Sequence, residues 1–171
     1  MAPSSPNPVI APQHILNLLD RLHRESSEQE AALGFTYLDQ KQSFDDLMRD
    51  KFIALDQDKC QFIYQLATAT GARNIVEVGT SFGVSTIYLA LAVGKNVERL
   101  GGNGKVIGTE WEASKADKAR GIWAEAGEEM VSRWVDLRVG DLQETLKDDV
   151  PSLDLVLLDS TLQHLSQRCC S

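Results

Sequence analysis

The chain has 171 residues, 43% hydrophobic and 25% charged, a balance that suits one soluble domain able to bury a substantial core. Its formal net charge of -8 argues against nucleic acid or anionic membrane as a partner, because both would repel such a surface. No apolar run approaches the about 20 residues that span a bilayer, and Cys60, Cys169 and Cys170 make no disulfide or metal framework, so a cytoplasmic location is expected.

Residues 1–12, MAPSSPNPVIAP, have neither a basic nor an apolar signal region and read as a disordered leader. From Gln13 to Ala32 the placement of Ile15, Leu18, Leu19 and Leu22 predicts an amphipathic helix; His14 and His23, nine apart, do not share a helix face and are assigned to the surface. Ser43 is a candidate N-cap for a helix burying Phe44, Leu47, Met48 and Phe52. Asp56 is another, opening a helix over Gln57 to Thr70 with Phe62, Ile63 and Leu66 inward and Gly71 as its left-handed stop. Cys60 and Tyr64 in that helix read as packing residues.

The organising stretch is Asn74 to Thr86, NIVEVGTSFGVST. A β-branched run ends in a glycine turn and passes into an apolar helix, which in a doubly wound sheet puts the turn beside a ligand crevice. Dinucleotide folds use GxGxxG around a pyrophosphate, whereas here the pattern is ExGxxxG with a carboxylate at Glu77. A negative side chain there disfavours a diphosphate and suits a ligand that brings a cation, as S-adenosylmethionine (SAM) does with its ammonium and sulfonium. The other reading of such a turn is plain α/β architecture.

The following helix is predicted to end near Ala92, with GKNVERLGGNG as a long loop. Lys105 to Thr109 forms the second strand and ends on Glu110, where an acid can hold ribose hydroxyls or favour a helix start. A helix over Glu112 to Gly127 can pack Ala113, Ala116, Ala119, Ile122, Trp123 and Ala126. The third strand, Val135 to Val139, closes on Gly140 and Asp141; Asp141 can face an adenine amino group or cap the helix LQETL. Leu153 to Leu158 is nearly all apolar, as for a strand covered on both faces, and ends on Asp159. The final stretch, residues 160–171, has no strand pattern; His164, Cys169 and Cys170 read as parts of an irregular tail.

Four stretches in this order, LDQDKCQFIYQLATATGARNIVEVGTSFGVSTIYLALAVG, GKVIGTEWEASKADKARGIWAEAG, LRVGDLQETL and LDLVLLD, resemble the class I SAM-dependent methyltransferases. The likeness covers roughly Leu55 to Asp159 and is nearest the small O-methyltransferases of the catechol and caffeoyl-CoA type and their fungal relatives. It implies a Rossmann-like α/β domain over residues 13–159, including N-terminal helices, in which Glu77, Gly79 and Thr80 line the methionine end of the cofactor. Ser85 would bond the cofactor's carboxylate, Glu110 the ribose, and Asp141 would lie by the adenine. Asp159 matches the acid that, in metal-dependent members, binds a divalent cation and the substrate hydroxyl, and it is the candidate catalytic and metal residue.

The chain departs from that pattern after Asp159, where Ser160, Thr161 and Leu162 stand and the usual downstream Asp-Asn pair is absent. Of the family's strand order 3-2-1-4-5-7-6, only 3-2-1-4 can be built, so a truncated sheet is expected. Its strand four would be an edge open to a second copy of the chain. The resemblance implies an O-methyltransferase of secondary metabolism acting on a small hydroxylated molecule. The alternative is a catalytically silent protein that dimerises or binds a partner through that edge.

Overall fold

A computed structural model describes residues 6–33, 51–52 and 54–159. Helix α1 (Gln13–Leu33) precedes α2 (Gln57–Thr70), β1 (Asn74–Val78), α3 (Val84–Leu100), β2 (Lys105–Glu110), α4 (Ala113–Ala126), β3 (Val135–Val139), the short α5 (Leu142–Thr145) and β4 (Leu155–Leu158). All strand pairs are parallel and their order is β3-β2-β1-β4, the Rossmann-like arrangement expected. The proposed Ser43 helix and the tail residues His164, Cys169 and Cys170 lie outside the described residues.

Strand alternation separates two packing faces. Ile75 and Val106, with Leu155 and Leu157, join the main core built by α1 to α4, while Val76, Val78 and Ile107 pack with Leu142, Leu146 and Val150 on the opposite face. Glu77 shares the parity of Ile75, so its carboxylate is directed into the helix-covered side, where it is fully buried.

Several expectations are corrected. Helix α3 runs to Leu100, through most of the predicted loop, because Gly94 is a packing site and not a breaker: a Cβ there would come within 2.9 Å of the Trp134 indole. Buried Asn96 then ties α3 to α2, its amide donating to the carbonyls of Ala67 and Ala72 at 2.8 Å each. The inward stripe of α2 is Cys60, Tyr64 and Ala67, whereas Phe62 is 62% exposed and Leu66 is also exposed. Burial pushes the Cys60 thiol well above its ordinary range, leaving it protonated and suited to packing. Gly71 does stop α2, at φ 72°.

His23 is the clearest reversal. It is buried, not superficial, and its Nε2 lies 2.9 Å from the Tyr88 hydroxyl on α3. In β4, Leu155 and Leu157 are partly covered but Val156 and Leu158 are exposed, so the strand is not covered on both faces among the described residues.

Candidate functional site

The turn from β1 to α3 is shaped by three residues with positive φ: Gly79 at 90°, Ser81 at 51° and Gly83 at 76°. Glycine adopts that region freely, while Ser81 adopts it at a cost that neighbouring contacts must offset. Those contacts are present. The Gly79 and Thr80 amides donate to the Thr109 carbonyl at 3.1 and 2.9 Å, and the Ser81 amide donates to Glu110 Oε2 at 2.7 Å. From α4, Trp123 Nε1 donates to the Gly83 carbonyl.

Glu77 lies behind this turn. Its Oε1 accepts from Ser85 Oγ at 2.6 Å and its Oε2 from Thr80 Oγ1 at 3.0 Å, with Thr86 Oγ1 as a second donor to Oε2. Burial pushes the carboxyl up to about 7, with the three hydroxyls opposing that rise. On β2 the register partner of Glu77 is Gly108, and a Cβ there would stand 2.5 Å from Thr80 Oγ1. Glycine at 108 therefore makes room for the hydroxyl that reaches Glu77.

Glu110, at the tip of β2, is buried and accepts from the backbone amides of Ser81 at 2.7 Å and Glu112 at 2.8 Å. It clamps the glycine turn to the start of α4. Asp141 caps α5, accepting from the Gln143 amide at 2.9 Å, which realises the capping reading weighed above. Asp159 follows β4 and is held by its amide to the Val78 carbonyl at 2.9 Å. Desolvation raises the carboxyl pKa although the residue is open to solvent on its outer side, and Lys59 opposes the rise.

A small cavity joins part of this set, lined by Thr80, Ser81, Gly83, Ser85 and Asp159 together with Phe52 and Phe82. Glu77 stands behind its wall; Glu110 borders it only through Ser81, and Asp141 is not among its lining residues. Phe52 and Phe82 meet edge to face with centroids 4.9 Å apart. The strap carrying Phe52 is fastened to α1, the Phe52 amide donating to Gln29 Oε1 at 3.0 Å and the Ala54 amide to Ser26 Oγ at 2.7 Å. Sequence reading gave Phe52 only a packing place and missed Phe82 and Thr86 altogether. The run TSFGVST, four hydroxyls around one acid three residues upstream, was the available signal for Thr86.

A roomier cavity of about 400 Å³ lies between α1 and the start of α2, bordered by Asp20, His23, Ser26 and Asp56. It holds none of the predicted site residues, so the chemistry of the strand tips, not size, marks the site.

The family described as Methyltransferase domain matches residues 76–168, more than half of the chain. This chain belongs to the methyltransferase family. The match begins on β1 and takes in every residue of the strand-tip set. Catechol O-methyltransferase of Mycobacterium tuberculosis (strain ATCC 25618 / H37Rv) is 34% identical over 117 residues, covering 66% of this methyltransferase chain and 47% of the relative. Among solved structures, the O-methyltransferase TomG from Streptomyces achromogenes, involved in Tomaymycin synthesis and in complex with SAM, shares 28% identity with a TM-score of 0.54. That similarity covers 81% of this chain and 62% of TomG. The Bacillus cereus O-methyltransferase, in complex with SAH, shares the fold at 24% identity and a TM-score of 0.55, covering 83% of this chain and 64% of its own. The methyltransferase chain thus spans about half the length of the curated relative it matches. No helix among the described residues is long and apolar enough to cross a membrane.

Proposed function

We propose that this chain binds SAM across the tips of β1, β2 and β4 and belongs to the small O-methyltransferases of the catechol and caffeoyl-CoA type, including their fungal branch. The acceptor would be a small hydroxylated secondary metabolite. The observation that carries this reading is the convergence of two kinds of group at one turn. Polar side chains come from Thr80, Ser85 and Glu110, while α3 starts at Val84, after its N-cap Gly83, with no side chain capping its first amides. Free amides at a helix start attract a carboxylate, and a carboxylate at a strand-two tip accepts from ribose hydroxyls. This pairing of acceptors with helix-start amides fits an adenosyl amino acid. Similarity to a SAM-bound enzyme above one quarter identity supports the same ligand.

When bound, the cofactor supplies an electrophilic methyl group. The chain's part is to bind and orient. Glu110 would hold the ribose while keeping the turn closed through Ser81, and the Gly79–Gly83 turn would let backbone approach the amino acid end. Asp141 would stay by the adenine edge as the cap of α5. Phe52 and Phe82 would form the apolar part of the cavity wall. Asp159, which lines the cavity and has its pKa raised by desolvation, would accept the acceptor hydroxyl's proton at its carboxylate oxygen. Among the described residues no group of three or more His, Cys, Asp and Glu side chains could hold a metal ion. Asp159 alone does not fit a divalent oxygen site of about six ligands.

Isothermal titration with SAM, followed by transfer of labelled methyl to a catechol, tests the proposal. Saturable heat that Glu110→Ala weakens at least tenfold is expected. No heat at millimolar SAM would refute it.

A second reading rests on β4, which pairs only with β1 among the described residues and exposes Val156 and Leu158. A silent protein pairing two copies through that edge would scatter light as a dimer and transfer no methyl. A monomer that methylates a catechol would exclude it.

A further inference from the structure

We propose that the cavity between α1 and the start of α2 is a second binding site, separate from the strand tips, that takes a small hydroxylated organic ammonium such as an amino sugar. It is independent of what the strand tips hold.

The cavity has a volume of about 400 Å³, enough for a small metabolite. Among the described residues that line it only Ala54 is apolar, so its wall recognises hydrogen-bonding groups, not hydrocarbon. Asp20, Glu30 and Asp56 bring three carboxylates against the single guanidinium of Arg24, and that excess favours a cation. Asp20 already accepts from the Gln57 amide at 2.9 Å and Asp56 pairs with Lys59. Glu30 has no ion-pair partner among the described residues.

Carboxylates alone are an ordinary solvated face; a buried imidazole among them is not. His23 lines the cavity yet is only 8% exposed, and its Nε2 is engaged by the Tyr88 hydroxyl. No described residue partners its Nδ1. Every fully buried side-chain nitrogen and oxygen among the described residues has a partner, so Nδ1 opens on free space, and the space His23 borders is this cavity. Tyr88 takes a hydrogen bond from the Gln57 side chain, which leaves the phenol's own proton for Nε2. Burial keeps the imidazole neutral near pH 7, so its one proton sits on Nδ1 and is offered to the cavity. Beside it, buried Ser26 accepts from the Ala54 amide at 2.7 Å and keeps its hydroxyl proton to donate. A ligand hydroxyl oxygen answers these donors, and an ammonium answers the carboxylates.

Calorimetric titration at pH 7 with glucosamine as the probe tests the site. Saturable heat is expected, with glucose, which lacks the ammonium, and cyclohexylamine, which lacks the hydroxyls, each binding about tenfold more weakly. Glu30→Gln should weaken glucosamine about threefold, whereas Glu98→Gln, the same charge change at an exposed α3 residue outside the cavity, should leave it unchanged. Ser27→Phe, from an exposed position on the wall, should fill the cavity and abolish binding. Saturating S-adenosylhomocysteine (SAH) should not displace the probe. The proposal is overturned by no saturable heat, by equal affinity for all three probes, by binding that survives Ser27→Phe, or by displacement with SAH. Equal weakening by Glu30→Gln and Glu98→Gln also overturns it, and that pair decides if Ser27→Phe does not fold.

Discussion

Trp123 Nε1 donates to the carbonyl oxygen of Gly83 at 2.9 Å, joining α4 to the last residue of the turn that shapes the site. The indole occupies the space a side chain at 83 would need, since a Cβ there would approach Trp123 to 2.5 Å. Gly83→Ala combines that clash with a backbone φ of 76°, and should cost about 2 to 4 kcal/mol in urea denaturation. Trp123→Phe, which only strands the carbonyl and trims the ring, should cost less, about 1 to 2 kcal/mol. Equal, negligible losses would show that this clamp does not hold the turn.

Glu77 gives stability a definite pH slope. Its folded pKa is raised from 4.5 to about 7, so its contribution is full below pH 4.5 and is lost as pH rises through 7. Urea denaturation at pH 5 and pH 8 should show wild type losing roughly 2 to 3 kcal/mol relative to Glu77→Gln across that interval. A wild type that gains stability over the same interval relative to the variant would contradict the buried, hydroxyl-bound placement.

His23 slopes the opposite way. Burial lowers its pKa below 6.5, against the opposing pull of Asp20 and Asp56, so the stability it contributes is present above pH 6.5 and lost as pH falls through the folded value. His23→Gln should therefore narrow the difference in melting temperature between pH 7 and pH 5. No narrowing would place the imidazole in water.

Asn96 is the internal tie between α3 and the end of α2. Asn96→Leu keeps its approximate shape but removes the amide that donates to the carbonyls of Ala67 and Ala72, of which Ala67 still accepts from the Gly71 and Ala72 amides. The loss should be about 2 to 4 kcal/mol by urea denaturation. A change below half a kcal/mol would mean that the two helices are held by apolar packing alone.

The succession of strands and helices was legible because each strand is a short run rich in apolar residues closed by glycine or an acid and each helix has a periodic apolar stripe, while the order 3-2-1-4 was implied by the family resemblance. The errors share one cause: sequence shows which residues are apolar or flexible, not what stands opposite. Gly94 looks like a stop until Trp134 is seen to need its space. Phe62 looks like core until the Cys60, Tyr64, Ala67 stripe is seen against α3. His23 looks superficial until Tyr88 is found beside it. At the site, ExGxxxG marked the turn and its acid. That Ser85 and Thr86 join Thr80 in donating to Glu77 follows from helix α3 starting at Val84 and turning both side chains back toward β1.

A crystal structure grown with saturating SAH tests the central claim most directly. The account predicts adenosyl density over the tips of β1 and β2, with ribose hydroxyls on Glu110 and the amino acid end of the ligand at the Gly79–Gly83 turn. Density elsewhere, or a site left empty at millimolar ligand with Glu110 still bound only to the Ser81 and Glu112 amides, would contradict it.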